Sequence, residues 1–319
     1  MSRSGLERGV LHLPTEASRS AALCIAGMVL AAHAARAQDL DPRSYANLPV
    51  GLDIVLAGAL HSSGGLETDP AIRLDDAHLR IDGTVLGFLH SLDLWGRSGR
   101  VDVIVPYARL RGTATSDGQP LERHVDGLAD VRVRASINFY GAPALDLREF
   151  ATYKQDLVIG ASIQASAPVG QYDDQRVINL GNNRWAFKGE LGMSKALGAW
   201  IVDAAMAANI YGRNDDFLGG QARQQAPVYA AQTNVTRNFA RGIWAALGVT
   251  YYRGGRTTVN GVQRDDEVGS SRAGLAVSVP IDRANSLKFA ASRGLSVRTG
   301  TDFDTIGVFW QHVWSPAPR

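Results

Sequence analysis

From residue 49 onward apolar and polar side chains alternate with a period of two, not 3.6. That period belongs to strands whose two faces meet different surroundings. Between His78 and His90 the odd positions read Leu79, Ile81, Gly83, Val85, Gly87 and Leu89, against Arg80, Asp82, Thr84, Leu86 and Phe88. Further on, Val101, Val103, Val105 and Tyr107 alternate with Asp102, Ile104, Pro106 and Ala108. Val131, Val133, Ala135, Ile137 and Phe139 alternate with Asp130, Arg132, Arg134, Ser136 and Asn138. The pattern predicts about twelve strands, at 49–62, 77–92, 99–111, 129–140, 156–168, 185–196, 199–211, 227–238, 242–253, 268–280, 285–293 and 303–314. Most run to roughly 10–14 residues, longer than soluble strands and long enough to cross a bilayer at a tilt.

The connections alternate too. Long polar ones follow the odd-numbered strands, at 63–76, 112–128, 169–184, 212–226, 254–267 and 294–302. Most of the others are tight, such as Leu197-Gly198. Short periplasmic turns and long extracellular loops are the asymmetry of a transmembrane barrel. The expected fold is therefore all-β: one antiparallel transmembrane barrel over 49–314, with both ends on the periplasmic side. The exception is 141–155, long where the pattern asks for short, and able to hold a small helix or an extended pair.

The ends support this reading. Arg3, Arg8 and Arg19 precede the apolar stretch 21–34, and Ala35-Arg36-Ala37 offers a small-x-small cleavage pattern. Residues 1–37 read as a cleaved signal peptide of the Sec type, so Gln38 starts the mature chain and 38–48 is a periplasmic N-terminal segment. At the other end Ile306, Val308, Trp310, His312 and Trp314 share one parity, with a short tail at 315–319. A terminal strand that alternates and closes on an aromatic is the kind that barrel-assembly machinery reads. Trp95, Tyr107, Tyr140, Trp185, Trp200, Tyr211, Trp244, Tyr251 and Trp314 fall near strand ends, where interfacial girdles belong. The localisation expected is the outer membrane of a Gram-negative cell.

Composition narrows the function. The chain has 319 residues, 33 basic and 31 acidic, with a single cysteine. Losing the signal removes Cys24, four arginines and two glutamates, which leaves the two signs equal. A disulfide framework is excluded, and the neutral balance without a basic cluster argues against nucleic acid. Overall neutrality also argues against strong ion selectivity.

The succession SYANLPVGLD, SLDLWGRSGRVDVIVPY, GLADVRVRASINFYGAPAL, APVGQYDDQRVINLGNNRWAFKGELGMSKALG, NDDFLGG and YYRGGRTTVNGV resembles a bacterial family of transporters assigned to the MetA pathway of phenol degradation. The resemblance covers about Asp39 to Trp314. It implies an outer-membrane channel associated with the breakdown of aromatic compounds. It carries over no catalytic or binding residues.

The chemistry-bearing candidates are the mid-strand charges Arg80, Asp82, Asp102, Asp130, Arg132, Arg134, Lys188, Glu190 and Asp203. A charge on the lipid face is costly, so all are expected to face the lumen. There they either line a polar conduit or close it as neutralising ladders. Leu86, Phe88, Ile104 and Leu110, of the same parity, would make an apolar patch inside. The acidic pairs at 173–174 and 215–216 and the triplet 265–267 lack the spaced ligand pattern of a calcium loop. The five mature histidines, His61, His78, His90, His124 and His312, form no HExxH. His61 and Ser63 have the His-x-Ser spacing of outer-membrane phospholipases, but Gly64 follows directly and a second catalytic segment is missing. No metal, cofactor or catalytic residue is therefore assigned. The expected function is a passive channel for small apolar or aromatic permeants, with outer-membrane lipid as surroundings. The alternatives are a non-conducting structural or adhesive barrel and, behind it, a barrel hydrolase.

Overall fold

The computed structural model describes residues 42–67, 75–116, 119–176, 178–298 and 300–315. The predicted signal peptide and residues 316–319 lie outside the described residues. Twelve strands form the barrel: β1 (Asp53–Glu67), β2 (Asp75–Leu94), β3 (Arg97–Ser116), β4 (Val131–Tyr140), β5 (Leu157–Ala167), β6 (Ala186–Leu197), β7 (Trp200–Tyr211), β8 (Val228–Asn238), β9 (Trp244–Gly254), β10 (Val268–Pro280), β11 (Asn285–Val297) and β12 (Asp304–Trp314). Each pairs antiparallel with the next. β1 also pairs with β12, with Asp53 opposite Trp314, and that ladder closes the sheet. Closure leaves no edge strand within the membrane.

The outward face is apolar around the ring. Leu191 is 62% exposed, Met206 71% and Leu247 64%. On a soluble protein such a belt would drive aggregation; on a closed barrel it faces lipid tails. At the periplasmic rim Trp310, His312 and Trp314 stack at 5.8 and 5.6 Å between ring centres, and Phe88 lies 6.4 Å from Trp314. His312 thus belongs to the girdle instead of interrupting it. Its Nδ1 and the Trp310 indole both meet the Asn285 side-chain oxygen, at 3.0 and 3.1 Å. Trp244 and Tyr211 are corrections to the expected girdle. Trp244 is buried and points inward, and Tyr211 shares the inward face with its partner Ala186.

Two long connections carry structure of their own. β3 outruns β4, and its upper half pairs with the strand Gln119–Leu128, from Tyr107 opposite Leu128 to Ser116 opposite Gln119. The expected loop 112–128 is therefore a hairpin that prolongs the barrel wall. Residues of 212–226 and 254–267 form a four-stranded antiparallel sheet of Asn214–Phe217, Gln221–Gln225, Thr257–Val259 and Val262–Gln263. The long join 141–155 holds one helical turn, α1 (Leu147–Phe150). Asp146 caps it by accepting from the Arg148 and Glu149 amides, and Glu149 accepts from the Asp146 amide.

The β10–β11 turn rests on one carboxylate. Asp282 accepts from the Ala284 and Asn285 amides, both at 2.8 Å, and from the Asn285 side chain. The Ala284 amide, with the Asn285 contacts, holds its pKa below the usual carboxylate value. A depressed folded pKa means that this contribution is present above the unfolded value, about 4, and is lost as pH falls through the folded one. The Ala284 amide should therefore stay protected from hydrogen exchange down to about pH 4 and lose protection in stronger acid. In Asp282→Asn it should exchange faster at neutral pH, with no acid-dependent step.

Candidate lumen site

The inward residues divide the lumen into two unlike walls. On β1, β2, β3 and β12 they are mainly apolar, Ser62 and Gln311 apart: Ile54, Leu56, Leu60, Val85, Leu89, Ile104 and Phe309 form one buried cluster towards the periplasm. Leu79, Ile81, Ala108, Leu110, Leu180 and Phe303 form a second, further out. From β4 round to β11 the inward positions are mostly polar or small, with Val158, Ile201, Val228 and Trp244 as larger apolar exceptions. Asp102 and Arg100 on β3 mark the seam.

Most predicted charges lie on this polar side. Asp102 accepts from Arg134 Nε at 3.1 Å and lies 3.8 Å from Arg100, all three buried. Arg100 also donates to Ser136 Oγ at 3.2 Å. Arg132 has the same parity as Arg134, while Val131, Val133 and Ile137 take the other face. Lys188 and Glu190 pair at 2.6 Å, and Asp203 is buried on β7. Asp130 anchors a loop: its two oxygens accept from the Gly170 amide at 3.1 Å and from the Asn182 amide and side chain at 3.0 and 2.9 Å.

Arg80 and Asp82 reverse the expectation. On β2 the odd positions are buried and the even ones exposed, so both charges point outward, as do Leu86 and Phe88. Ile104 and Leu110 do face the lumen. The lipid-cost argument misplaces Arg80 and Asp82 because β2 has 20 residues. From Leu94 to Thr84 it climbs about 33 Å along the strand, or about 25 Å of height at the usual tilt, which is the whole apolar band. Both charges therefore stand above the hydrocarbon. His61 accompanies them on the outer face, its Nδ1 2.7 Å from Asp82, so it is engaged with a carboxylate two strand positions outside the membrane band.

The residues that sequence reasoning missed come from the segment before β1. Residues 42–52 enter the periplasmic half of the lumen and cross it. The Arg43 amide donates to Asp203 at 3.1 Å, its guanidinium to Asn238 at 3.3 Å, and its head lies 5.8 Å from the Trp244 ring. The Tyr45 hydroxyl donates to Glu190 at 2.9 Å. The Asn47 backbone amide donates to Gln155 Oε1 at 3.1 Å. Ala46, Leu48 and Leu52 complete the apolar cluster. Gly160 and Gly192 leave the recess for the Tyr45 ring, since a Cβ at either would collide with it. Gly192→Val should therefore expel Tyr45 while leaving the barrel closed. Protease cleavage within 42–50 of folded, membrane-inserted protein would detect this, and unchanged resistance would contradict it.

Arg272, Lys288 and Gln311 are also buried and inward. Arg272 donates to the Phe303 carbonyl at 2.7 Å, and the Lys288 ammonium lies 5.3 Å from the Phe309 ring. Their signal was parity alone, a polar residue in line with small inward neighbours such as Gly274 and Ala290. Among the described residues no cluster of His, Cys, Asp and Glu could hold a metal ion.

A family model described as "Putative MetA-pathway of phenol degradation" matches residues 62–311. Among solved structures, the COG4313 outer membrane channel from Pseudomonas putida F1 superposes with a TM-score of 0.73 at 24% identity, over 86% of this chain and 100% of that one. The transport unit of the autotransporter AIDA-I from Escherichia coli reaches a TM-score of 0.49 at 9% identity, over 93% of this chain and 97% of that one. No curated protein matches. The first likeness shows the fold, that of an outer-membrane β-barrel.

Proposed function

The chain belongs to the MetA-pathway phenol-degradation family, and on that premise we propose that it is a passive outer-membrane channel for small aromatic molecules. The observation that carries this reading is the split lumen. Ala46, Leu48 and Leu52 cover this wall, and once residues 42–52 move aside a ring sliding along Ile54, Leu56, Val85, Leu89 and Ile104 leaves water at roughly 25 cal/mol per Å² buried. The opposite wall offers hydrogen-bond donors to a hydroxyl or phenolate oxygen. No nucleotide-binding motif is present in the sequence, so the gradient supplies the driving force.

Overall neutrality is a poor guide to selectivity, because the inward charges are unequal. Arg100, Arg132, Arg134, Lys188, Arg272 and Lys288 face Asp102, Asp130, Glu190 and Asp203. A basic lining favours anions. Purified protein in planar bilayers should conduct, and in a potassium chloride gradient the reversal potential should have the sign of chloride preference. A potassium preference would contradict the lining described above.

The second reading, a closed barrel acting through its outer loops, is favoured by residues 42–52, which fill the periplasmic half of the lumen. Folded protein that never conducts, even with that segment released, would support it and overturn the channel.

A further inference from the structure

The outer face of β2 and β3 carries cations that the lumen does not use. Arg80 on β2 lies directly opposite Arg111 on β3, and Arg111 directly opposite His124 on the Gln119–Leu128 strand. All three are exposed. Neighbouring strands are about 4.8 Å apart, so the row holds three basic side chains within about 10 Å. Like charges directly opposite one another destabilise a sheet.

The rows on the membrane side of it are built differently. The next one towards the membrane reads His61, Asp82, Arg109 and Asp126, in which acid and base alternate. Its partners are engaged: Asp82 with His61 at 2.7 Å, and Asp126 with the Tyr107 hydroxyl at 3.0 Å. Then come Ala59, Thr84, Tyr107 and Leu128, and below them Ala57, Leu86 and Val105, where the apolar band begins. Elsewhere at this end Arg253 meets Glu267 at 3.8 Å and Arg293 meets Asp304 at 3.2 Å, while Arg109 stands opposite Asp82 and Asp126 without a close ion pair among the described residues. Among the described residues Arg80 and Arg111 form no ion pair, and His124 has only Glu122, at 3.6 Å.

We infer that Arg80, Arg111 and His124 bind a phosphate of the phosphorylated glycolipid that forms the outer leaflet. Height supports this occupant. The headgroup layer adds roughly 5–8 Å beyond the hydrocarbon on each side. Two outward steps beyond Thr84 rise about 10 Å, and arginine side chains reach back along apolar surface to meet a headgroup. An anion on the row removes the like-charge repulsion, and guanidinium groups suit phosphate geometry. The site faces lipid, so its ligand arrives from the leaflet and not through the lumen.

The test uses the folded full-length mature protein in zwitterionic micelles. It is titrated with bis-phosphorylated lipid A, with lipid A stripped of both phosphates, and with inorganic phosphate alone. The bis-phosphorylated lipid should bind most tightly. Arg80→Gln/Arg111→Gln should weaken it by about fivefold for each arginine removed. Arg111→Lys should retain most of the affinity, and Arg293→Gln should leave it unchanged. Heat-modifiable migration on gels confirms that each variant is folded, and these exposed positions make folding insensitive to them. Equal binding of the two lipids, unaltered binding by the double variant, or equal loss in Arg293→Gln would overturn the proposal. Binding of inorganic phosphate as tight as that of the lipid would overturn it too, by marking a site for soluble anions.

Discussion

Replacing Arg43 and Tyr45 together by alanine should raise the conductance of the barrel several-fold and shift it towards a steadily open state. The two side chains and their backbone hold the start of residues 42–52 to one stretch of wall, Arg43 to β7 and β8 and Tyr45 to Glu190 on the adjacent β6. Removing both side chains deletes the hydrogen bonds of Arg43 to Asn238 and of Tyr45 to Glu190 and Ser162, the cation–π contact with Trp244 and the ring seated against Gly160 and Gly192. Bonds of this kind contribute about 1–1.5 kcal/mol each, more where one partner is charged. A combined loss of about 3 kcal/mol changes the ratio of docked to released segment roughly a hundredfold. Single-channel recordings in planar bilayers read this directly, as longer open times or a larger unit step. The anchors downstream remain: the Val50 amide still donates to the Leu145 carbonyl, and the Leu52 amide to Ser91 Oγ. The barrel should therefore fold as before. Conductance identical to that of the unmodified protein would mean that the segment does not obstruct the permeation path.

The second large effect concerns Asp102. Its carboxylate lies between Arg100 and Arg134, with 3% of its side chain exposed. Asp102→Ala would leave two buried guanidinium groups facing each other, at a cost of about 3–5 kcal/mol. Val133→Arg, one residue away from Arg134 but on the lipid face, should cost about 2–4 kcal/mol near the midplane. Arg134→Ala should also be costly, because it removes the closer of the two partners of a buried carboxylate. Reversible unfolding in lipid vesicles gives all three values. If Val133→Arg were tolerated as well as a charge on the inner face, the assignment of faces on β4 would be wrong.

Where one parity is charged or small and the other is aliphatic through the whole membrane depth, the sequence reads correctly. Val131, Val133 and Ile137 against Arg132 and Arg134 show this on β4, and Leu191 and Met193 against Glu190 and Gly192 show it on β6. β2 misleads for a physical reason. In the membrane its two faces are both apolar, Val85 and Leu89 inside and Leu86 and Phe88 outside, so periodicity cannot choose between them. Its charges lie above the hydrocarbon and carry no information about the lumen. Residues 42–52 were illegible because a chain packed inside a barrel has neither strand nor helix period. Tyr45 declares itself only through Gly160 and Gly192, on strands more than a hundred residues away. Trp244 misleads in a similar way, since a tryptophan near a strand end reads as interfacial until Arg43 is found above its ring. The small sheet built from 212–226 and 254–267 depends on pairings between distant loops that no local pattern announces.

The central claim, that aromatic molecules cross through this barrel, is tested most directly by uptake into intact cells. Cells that make the protein and cells that lack it are given a phenolic compound or, separately, a small sugar. The account predicts faster entry of the phenolic only in cells with the protein, and a further increase with Arg43→Ala/Tyr45→Ala. Equal entry of the phenolic with and without the protein would contradict it, and faster entry of the sugar alone would assign the lumen to general polar solutes.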